Sequence, residues 1–187
     1  MKASSPFLAV LLVAGMLAPL AAEDFAPEPG FIALFNGKDL TGWHHADGAP
    51  LDGQTDAGDG RYQVANGVLS GNSRKGRVLL WTTREFTGNF VLRLEFRADE
   101  TADGGLFFNQ TQLQCGDYSH YAYNAFKSYR PLDWNAIDVT VQDGVARCRC
   151  NGEVLEEALK IVEPVHIGLE ADKNAIAYRR IRIKTLP

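Results

Sequence analysis

The stretch Gln112-Leu113-Gln114-Cys115-Gly116-Asp117 sets two amides and a carboxylate close together. In extended chain Gln112 and Gln114 share one face, Leu113 and Cys115 the other, and Asp117 follows at the end. Amides on one face suit a polyhydroxylated ligand, and a nearby carboxylate can take a proton. A second candidate is Glu95, flanked on its polar face by Arg93 and Arg97. Two guanidiniums keep a carboxylate ionised, as a base or as part of a surface salt-bridge lattice. His44 and His45 are adjacent, so in extended chain they point to opposite sides and do not chelate one ion from a single face. They read mainly as loop surface.

Other clusters read as structure. Asp47, Asp52, Asp56 and Asp59 lie in a Gly-rich stretch (45–61) whose spacing matches no EF-hand, so a solvated loop is expected rather than a calcium site. Cys148 and Cys150 share a strand face with Ala146, which points to buried free thiols rather than a bridge to Cys115. Cys-Arg-Cys without a second ligand pair is not a zinc pattern. Asn109-Gln110-Thr111 is a glycosylation sequon with meaning only in a eukaryotic secretory pathway.

The elements that must position these groups are strands. "FVLRLEFRA" puts Leu92, Leu94 and Phe96 on one face; "AIDVTVQ" does the same with Ile137, Val139 and Val141. "VHIGLEA" and "RRIRIKTL" repeat the alternation, the latter with Ile181 and Ile183. Asn66-Gly67, Asp143-Gly144 and Asn151-Gly152 supply hairpin turns. About ten to twelve strands are expected, in an all-β sandwich of two antiparallel sheets, with a helical turn near 155–164 stopped by Pro164.

Lys2, an apolar run from Pro6 to Ala22 and then Glu23-Asp24 describe a signal peptide over 1–22, with one domain over 23–187. Export to the periplasm or beyond follows as an expectation, with no membrane span after cleavage. With 19 basic against 23 acidic residues, the chain offers no electrostatic footprint for nucleic acid.

"LFNGKDLTGW" (34–43), "YQVANGVLSG" (62–71), "LLWTTREFTGNFVLRLEFR" (79–97), "GGLFFN" (104–109), "QLQCGD" (112–117), "WNAIDVTV" (134–141) and "HIGLEA" (166–171) occur in an order that resembles the 3-keto-disaccharide hydrolase domain family. The resemblance spans nearly the whole chain after residue 22. It implies a concanavalin- and laminin-G-like jelly roll acting on glycosides whose 3-hydroxyl has been oxidised to a ketone. Such a ketone acidifies the hydrogen on carbon 2, so a base can draw it off and the glycosidic oxygen on carbon 1 can be expelled. Water then adds back. The site needs a base near carbon 2 and a donor or divalent cation at the ketone oxygen.

Three departures from the family's pattern bear on this chemistry. Family members usually read Glu-x-Gln-x-x-Asp where this chain has Gln112, Gln114 and Asp117. Their Gly-Val-Phe-x-Arg ends here in Asn109. Their Leu-Gln-Asp-His-Gly reads Leu169-Glu170-Ala171-Asp172-Lys173. A neutral Gln112 cannot be the base, which leaves Glu95, Asp117 or Glu170. We expect Glu95 and Asp117 as catalytic residues, converging in one cleft with Gln112 and Gln114, and Asn109 at its rim. Arg97, Trp134 and Glu170 complete the expected binding set. Tyr118, Tyr121, Tyr123 and Tyr129 are further candidates for stacking on sugars. A carbohydrate-binding module without catalysis, or a structural assembly domain, are the alternative readings of the same fold.

Overall fold

Alternating burial along the chain assembles two sheets around one core. A computed structural model describes residues 25–73, 76–120 and 126–187; the expected signal peptide, Tyr121 and Tyr123 lie outside the described residues. The strands are β1 (Ile32–Ala33), β2 (Trp43–His45), β3 (Tyr62–Ala65), β4 (Val68–Asn72), β5 (Val78–Thr82), β6 (Phe90–Ala98), β7 (Asp103–Phe108), β8 (Thr111–Gln114), β9 (Asn135–Gln142), β10 (Val145–Cys150), β11 (Glu153–Lys160), β12 (Ile167–Lys173) and β13 (Ala175–Thr185). The larger sheet runs β11-β10-β9-β6-β13-β4-β3, with β1 paired to β13; the smaller runs β2-β5-β12-β7-β8. Among the described residues every pairing between these strands is antiparallel, and no helix occurs. The chain is thus an all-β jelly-roll sandwich.

The inward faces meet in one apolar cluster. It takes Leu92, Leu94 and Phe96 from β6, Ile137 and Val139 from β9, Ile181 and Ile183 from β13, and Leu80, Leu106, Leu113 and Leu169 from the smaller sheet. Burying each such side chain contributes roughly 1.5–3 kcal/mol. Cys148 and Cys150 are buried and free, as expected, and Cys115 is buried and free as well.

Two elements differ from expectation. His44 and His45, expected as loop surface, lie in β2 and are partly buried, because this stretch pairs with β5. Residues 155–160 belong to β11, not to a helical turn, because the β10–β11 hairpin pairs Cys150 with Glu153 and Val145 with Lys160 along its length. A backbone ladder outweighs the helical propensity of Leu-Glu-Glu-Ala-Leu, which tertiary pairing readily overrides. In the 45–61 loop the carboxylates accept backbone amides: Asp52 from Gly42, Asp56 from Gly58 and Gly60, and Asp47 from Ala49. These bonds shape turns, in keeping with a structural loop.

Candidate functional site

The two sheets each have a face turned away from the core, and they divide the sequence-derived candidates between them. Glu95, Arg97 and Trp134 stand on the outer face of the larger sheet. Glu95 accepts from Arg179 at 2.6 Å and from Arg180 at 3.1 Å, while Trp134 lies between the guanidiniums of Arg97 and Arg179, 4.9 and 4.0 Å from its ring centre. Arg180 takes a φ of 54° at an irregularity in the β13–β6 register, which lets two consecutive arginines reach one carboxylate. This is the salt-bridge lattice reading of Glu95. Gln112, Gln114 and Glu170 belong instead to the smaller sheet. The expected cleft joining Glu95 to Gln112 and Gln114 is therefore not formed, because β6 and β8 are in different sheets and turn these side chains away from the shared core.

Asp117 sits past the end of β8 and is nearly buried. It accepts the Thr101 amide at 2.9 Å and the Ser119 amide at 3.0 Å, so it fastens two turns rather than facing the two glutamines. Burial alone would raise its pKa, but these amides outweigh it and hold the carboxyl below its ordinary value. Asn109 occupies the β7–β8 turn with a φ of 54°. Its side chain accepts the His166 amide at 2.9 Å and donates to Pro164 at 2.7 Å. Tyr118 is fully buried and Tyr129 packs against the core, so neither offers a sugar-stacking face.

The outer face of the smaller sheet carries a different set. Pairing aligns His44, Trp81, Gly168, Phe107 and Gln112 in one row across β2, β5, β12, β7 and β8. Cross-strand partners point to the same side. The neighbouring row holds Leu79, Glu170, Gly105 and Gln114. Two glycines make this face flat enough for large rings. A Cβ on Gly168 would fall 2.5 Å from the Trp81 ring, and one on Gly105 2.7 Å from both Phe107 and Gln112. Trp81 is partly buried and meets Phe107 edge-on at 6.2 Å. Phe107 is buried yet outside the core cluster, since it is covered from this outer side by Trp81 and by the Arg77 guanidinium 5.5 Å from its ring.

Glu170 is the centre of this face. Its side chain is only 3% exposed although it points away from the core. One oxygen accepts from Arg77 and the other from the Gln112 amide at 3.0 Å. Burial raises its pKa, the Arg77 guanidinium lowers it in part, and the carboxylates of Asp172 and Asp103 add to the rise. From the core side, Tyr178 donates its hydroxyl to the Glu170 carbonyl at 2.8 Å, and Tyr62 donates to the Leu169 carbonyl at 2.7 Å. Both tyrosines come from the larger sheet, so the two layers are tied together directly beneath Glu170. Gln114 turns to Asp103 at 2.6 Å and shares the face without touching Glu170.

Arg77, Trp81 and Phe107 are absent from the sequence-derived set. Trp81 and Phe107 were accessible in principle, as the large outward residues in "VLLWT" and "GGLFF". Arg77 also borders a cleft of about 410 Å³ with His45, Asp59, Arg61 and Leu79, which Trp81 and Phe107 do not line. A wider cleft of about 910 Å³ lies elsewhere, along Gln63, Asn72, Asp99, Glu100 and Asn174; it has no aromatic face and no buried carboxylate. Among the described residues no three His, Cys, Asp or Glu side chains lie close enough to hold a metal ion.

Comparisons with known proteins bear on this arrangement. The family model for the 3-keto-alpha-glucoside-1,2-lyase-like domain matches residues 30–184. No curated protein matches. Two crystal structures from Parabacteroides distasonis ATCC 8503, both named as candidate glycosyl hydrolases, share the fold. One has a TM-score of 0.64 at 17% identity, over 84% of this chain and 95% of that one. The other has a TM-score of 0.60 at 18% identity, over 83% and 99%. The carbohydrate-binding module CBM66 from Bacillus subtilis has the same fold, with a TM-score of 0.53 at 10% identity over 78% of this chain and 97% of that one.

Proposed function

The chain belongs to the 3-keto-alpha-glucoside-1,2-lyase-like domain family, and we propose that it cleaves 3-keto-glycosides by elimination and hydration on the outer face of its smaller sheet, with Glu170 as the base. One observation carries this reading. The carboxylate that the family pattern places at position 112 is missing, and a carboxylate at position 170, where that pattern has Gln, lies against the Gln112 amide at 3.0 Å. The acid–amide pair persists with its two members exchanged.

The sugar ring rests on Trp81, which the buried Phe107 backs edge-on, and the Trp81 face suits the apolar side of a pyranose. Glu170 takes the proton from carbon 2. A carboxylate kept from water and raised in pKa is a stronger base than an exposed one. Arg77, half-exposed at 52%, covers Glu170 and is free on its outer side. When the ketone oxygen draws this guanidinium onto itself, the enolate charge gains a partner and Glu170 loses the group that lowers its pKa. Substrate binding thereby creates the base it needs. Expulsion of the glycosidic oxygen and addition of water complete a net hydrolysis.

The test is incubation of the purified protein with a panel of 3-keto-glycosides, following release of the aglycone. Glu170→Gln should lower the rate by roughly 100- to 10,000-fold. A binding module is the second reading, favoured by the Trp81–Phe107 platform and by the likeness to CBM66. Saturable sugar binding with no turnover of any keto-glycoside would decide for it.

We also propose export by the apolar segment 6–22 with cleavage near Ala22. Mass spectrometry of the protein recovered from outside the cytoplasm tests this; an intact Met1–Ala22 segment there would contradict it.

A further inference from the structure

The reaction proposed for this face needs a second proton: the departing glycosidic oxygen must receive one, and the water that adds back must lose one. Glu170 cannot do both at once. We propose that His44 is this second catalytic residue, acting through Nε2. The inference rests on the function proposed above.

Three observations single out His44. First, it is the direct cross-strand partner of Trp81, so it stands on the same outer face, at the opposite end of the row from Gln112. His45, by contrast, turns away and binds the Ala57 carbonyl at 2.7 Å. Second, the hydrogen bonding of His44 fixes which nitrogen is available. Nδ1 lies 2.5 Å from the His45 carbonyl oxygen, which can only accept, so Nδ1 carries a proton. Nε2 has no protein partner among the described residues and is the one atom at which the ring can gain or lose a proton. Third, the ring is held. His166 meets it edge-on, 5.9 Å between centres at 88°, and is itself anchored at Nδ1 to the Thr82 carbonyl (2.7 Å) and at Nε2 to Glu85 (3.2 Å).

The spacing suits the chemistry. His44 is two strands from β12 and Glu170 two residues along it, which places their Cα atoms on the order of 12 Å apart, with Trp81 between. A separation of that order accommodates one sugar ring between the two groups. The steps then balance. Glu170 removes the proton on carbon 2, and the electrons of that bond form the enolate. Collapse of the enolate makes the carbon 1–carbon 2 double bond and breaks the bond to the glycosidic oxygen, which takes the proton from His44 Nε2. Water next gives its hydroxide to carbon 1 and its proton to Nε2, while Glu170 returns its proton to carbon 2. Both groups end as they began.

The experiment compares two substrates, methyl and 4-nitrophenyl 3-keto-glucoside. Methoxide is a poor leaving group that needs protonation, whereas nitrophenolate leaves without it. His44→Gln should slow the methyl glycoside roughly 100-fold or more and the nitrophenyl glycoside far less. Glu170→Gln should slow both. His44→Asn, compared by thermal midpoint, keeps the conclusion independent of the folding of one variant. If wild type and Glu170→Gln behave as proposed but His44→Gln slows both substrates alike, or neither, the role of His44 is overturned while the site stands. If wild type cleaves neither substrate, the underlying function fails and the role of His44 fails with it.

Discussion

The Gln112 amide donates to the Glu170 carboxylate at 3.0 Å across the outer face of the smaller sheet. In the family pattern the same two positions hold Glu and Gln in the reverse order. Two departures from that pattern, 58 residues apart in the sequence, are in direct contact. In this chain the amide of the pair stands on the edge strand β8 and the carboxylate on the central strand β12. There Tyr178 fixes its backbone and burial raises its pKa.

Arg77 should set the acid limb of the pH–rate profile. The base must be ionised, so kcat/KM should rise with pH through the Glu170 pKa, above the ordinary value of 4.5. Arg77 lowers that pKa; Arg77→Gln should therefore move the limb to higher pH as well as lower the rate. A limb that stays in place would exclude contact between the two in the working enzyme. The same shift predicts a stability trend. The native state holds its proton to higher pH than the unfolded chain, so stability declines as pH rises from 4.5 through the folded pKa. Glu170→Gln should remove this decline, as read by urea midpoints across pH.

Gly168→Ala should disrupt the sugar platform. The added Cβ would sit 2.5 Å from the Trp81 ring and must push it off the sheet. Overpacking of this kind costs about 1–3 kcal/mol, and the tryptophan fluorescence should shift. Trp81→Ala, outside the core cluster, should leave the urea midpoint nearly unchanged while weakening sugar binding about tenfold or more. Undiminished binding in Trp81→Ala would move the platform elsewhere.

Asp117→Asn should affect stability and spare the chemistry. The variant loses charge-assisted bonds to the Thr101 and Ser119 amides, a loss of about 1–2 kcal/mol. Because the folded pKa lies below 3.8, the wild-type contribution is present above that value and disappears as pH falls through the folded pKa. A large fall in kcat at unchanged stability would return Asp117 to the active site.

The three thiols should resist labelling. Burial pushes Cys148 and Cys150 up to about 12 and Cys115 higher still, so almost no thiolate exists at neutral pH. Native protein should react with a thiol reagent only on unfolding, then at all three positions. Rapid native labelling of Cys148 would mean that β10 faces the other way.

Period-two alternation revealed which side of each strand faces the core, because burial has that period in any sheet. Leu92, Ile137, Ile181 and Cys148 all lie where their neighbours predicted. Alternation is silent on which sheet a strand joins, and that is where the expected cleft was lost. Glu95 and Gln112 are both outward, but on opposite layers of the sandwich. Glu170 was legible as a departure from pattern, yet its meaning depended on a contact to β8 that no local rule supplies. Arg77 was invisible because it precedes β5 and acts by reaching over the neighbouring strand β12 to Glu170 and on to Phe107 of β7. His44 was expected as loop surface; it lies instead in β2, partly buried and paired with Trp81, because the strand pairing of Trp43–His45 with β5 leaves no alternating apolar pattern to read.

The exchange of acid and amide is tested most directly by a double-mutant cycle. Kcat/KM on one 3-keto-glycoside would be measured for wild type, Glu170→Gln, Gln112→Glu and the double variant. Glu170→Gln removes the only carboxylate of the pair and should lose roughly 100- to 10,000-fold. Gln112→Glu sets two carboxylates in contact and should also impair the site. The double variant restores one acid and one amide in the family's order, and it should recover at least tenfold over Glu170→Gln. A double variant no better than Glu170→Gln, or a Glu170→Gln variant as active as wild type, would contradict the account.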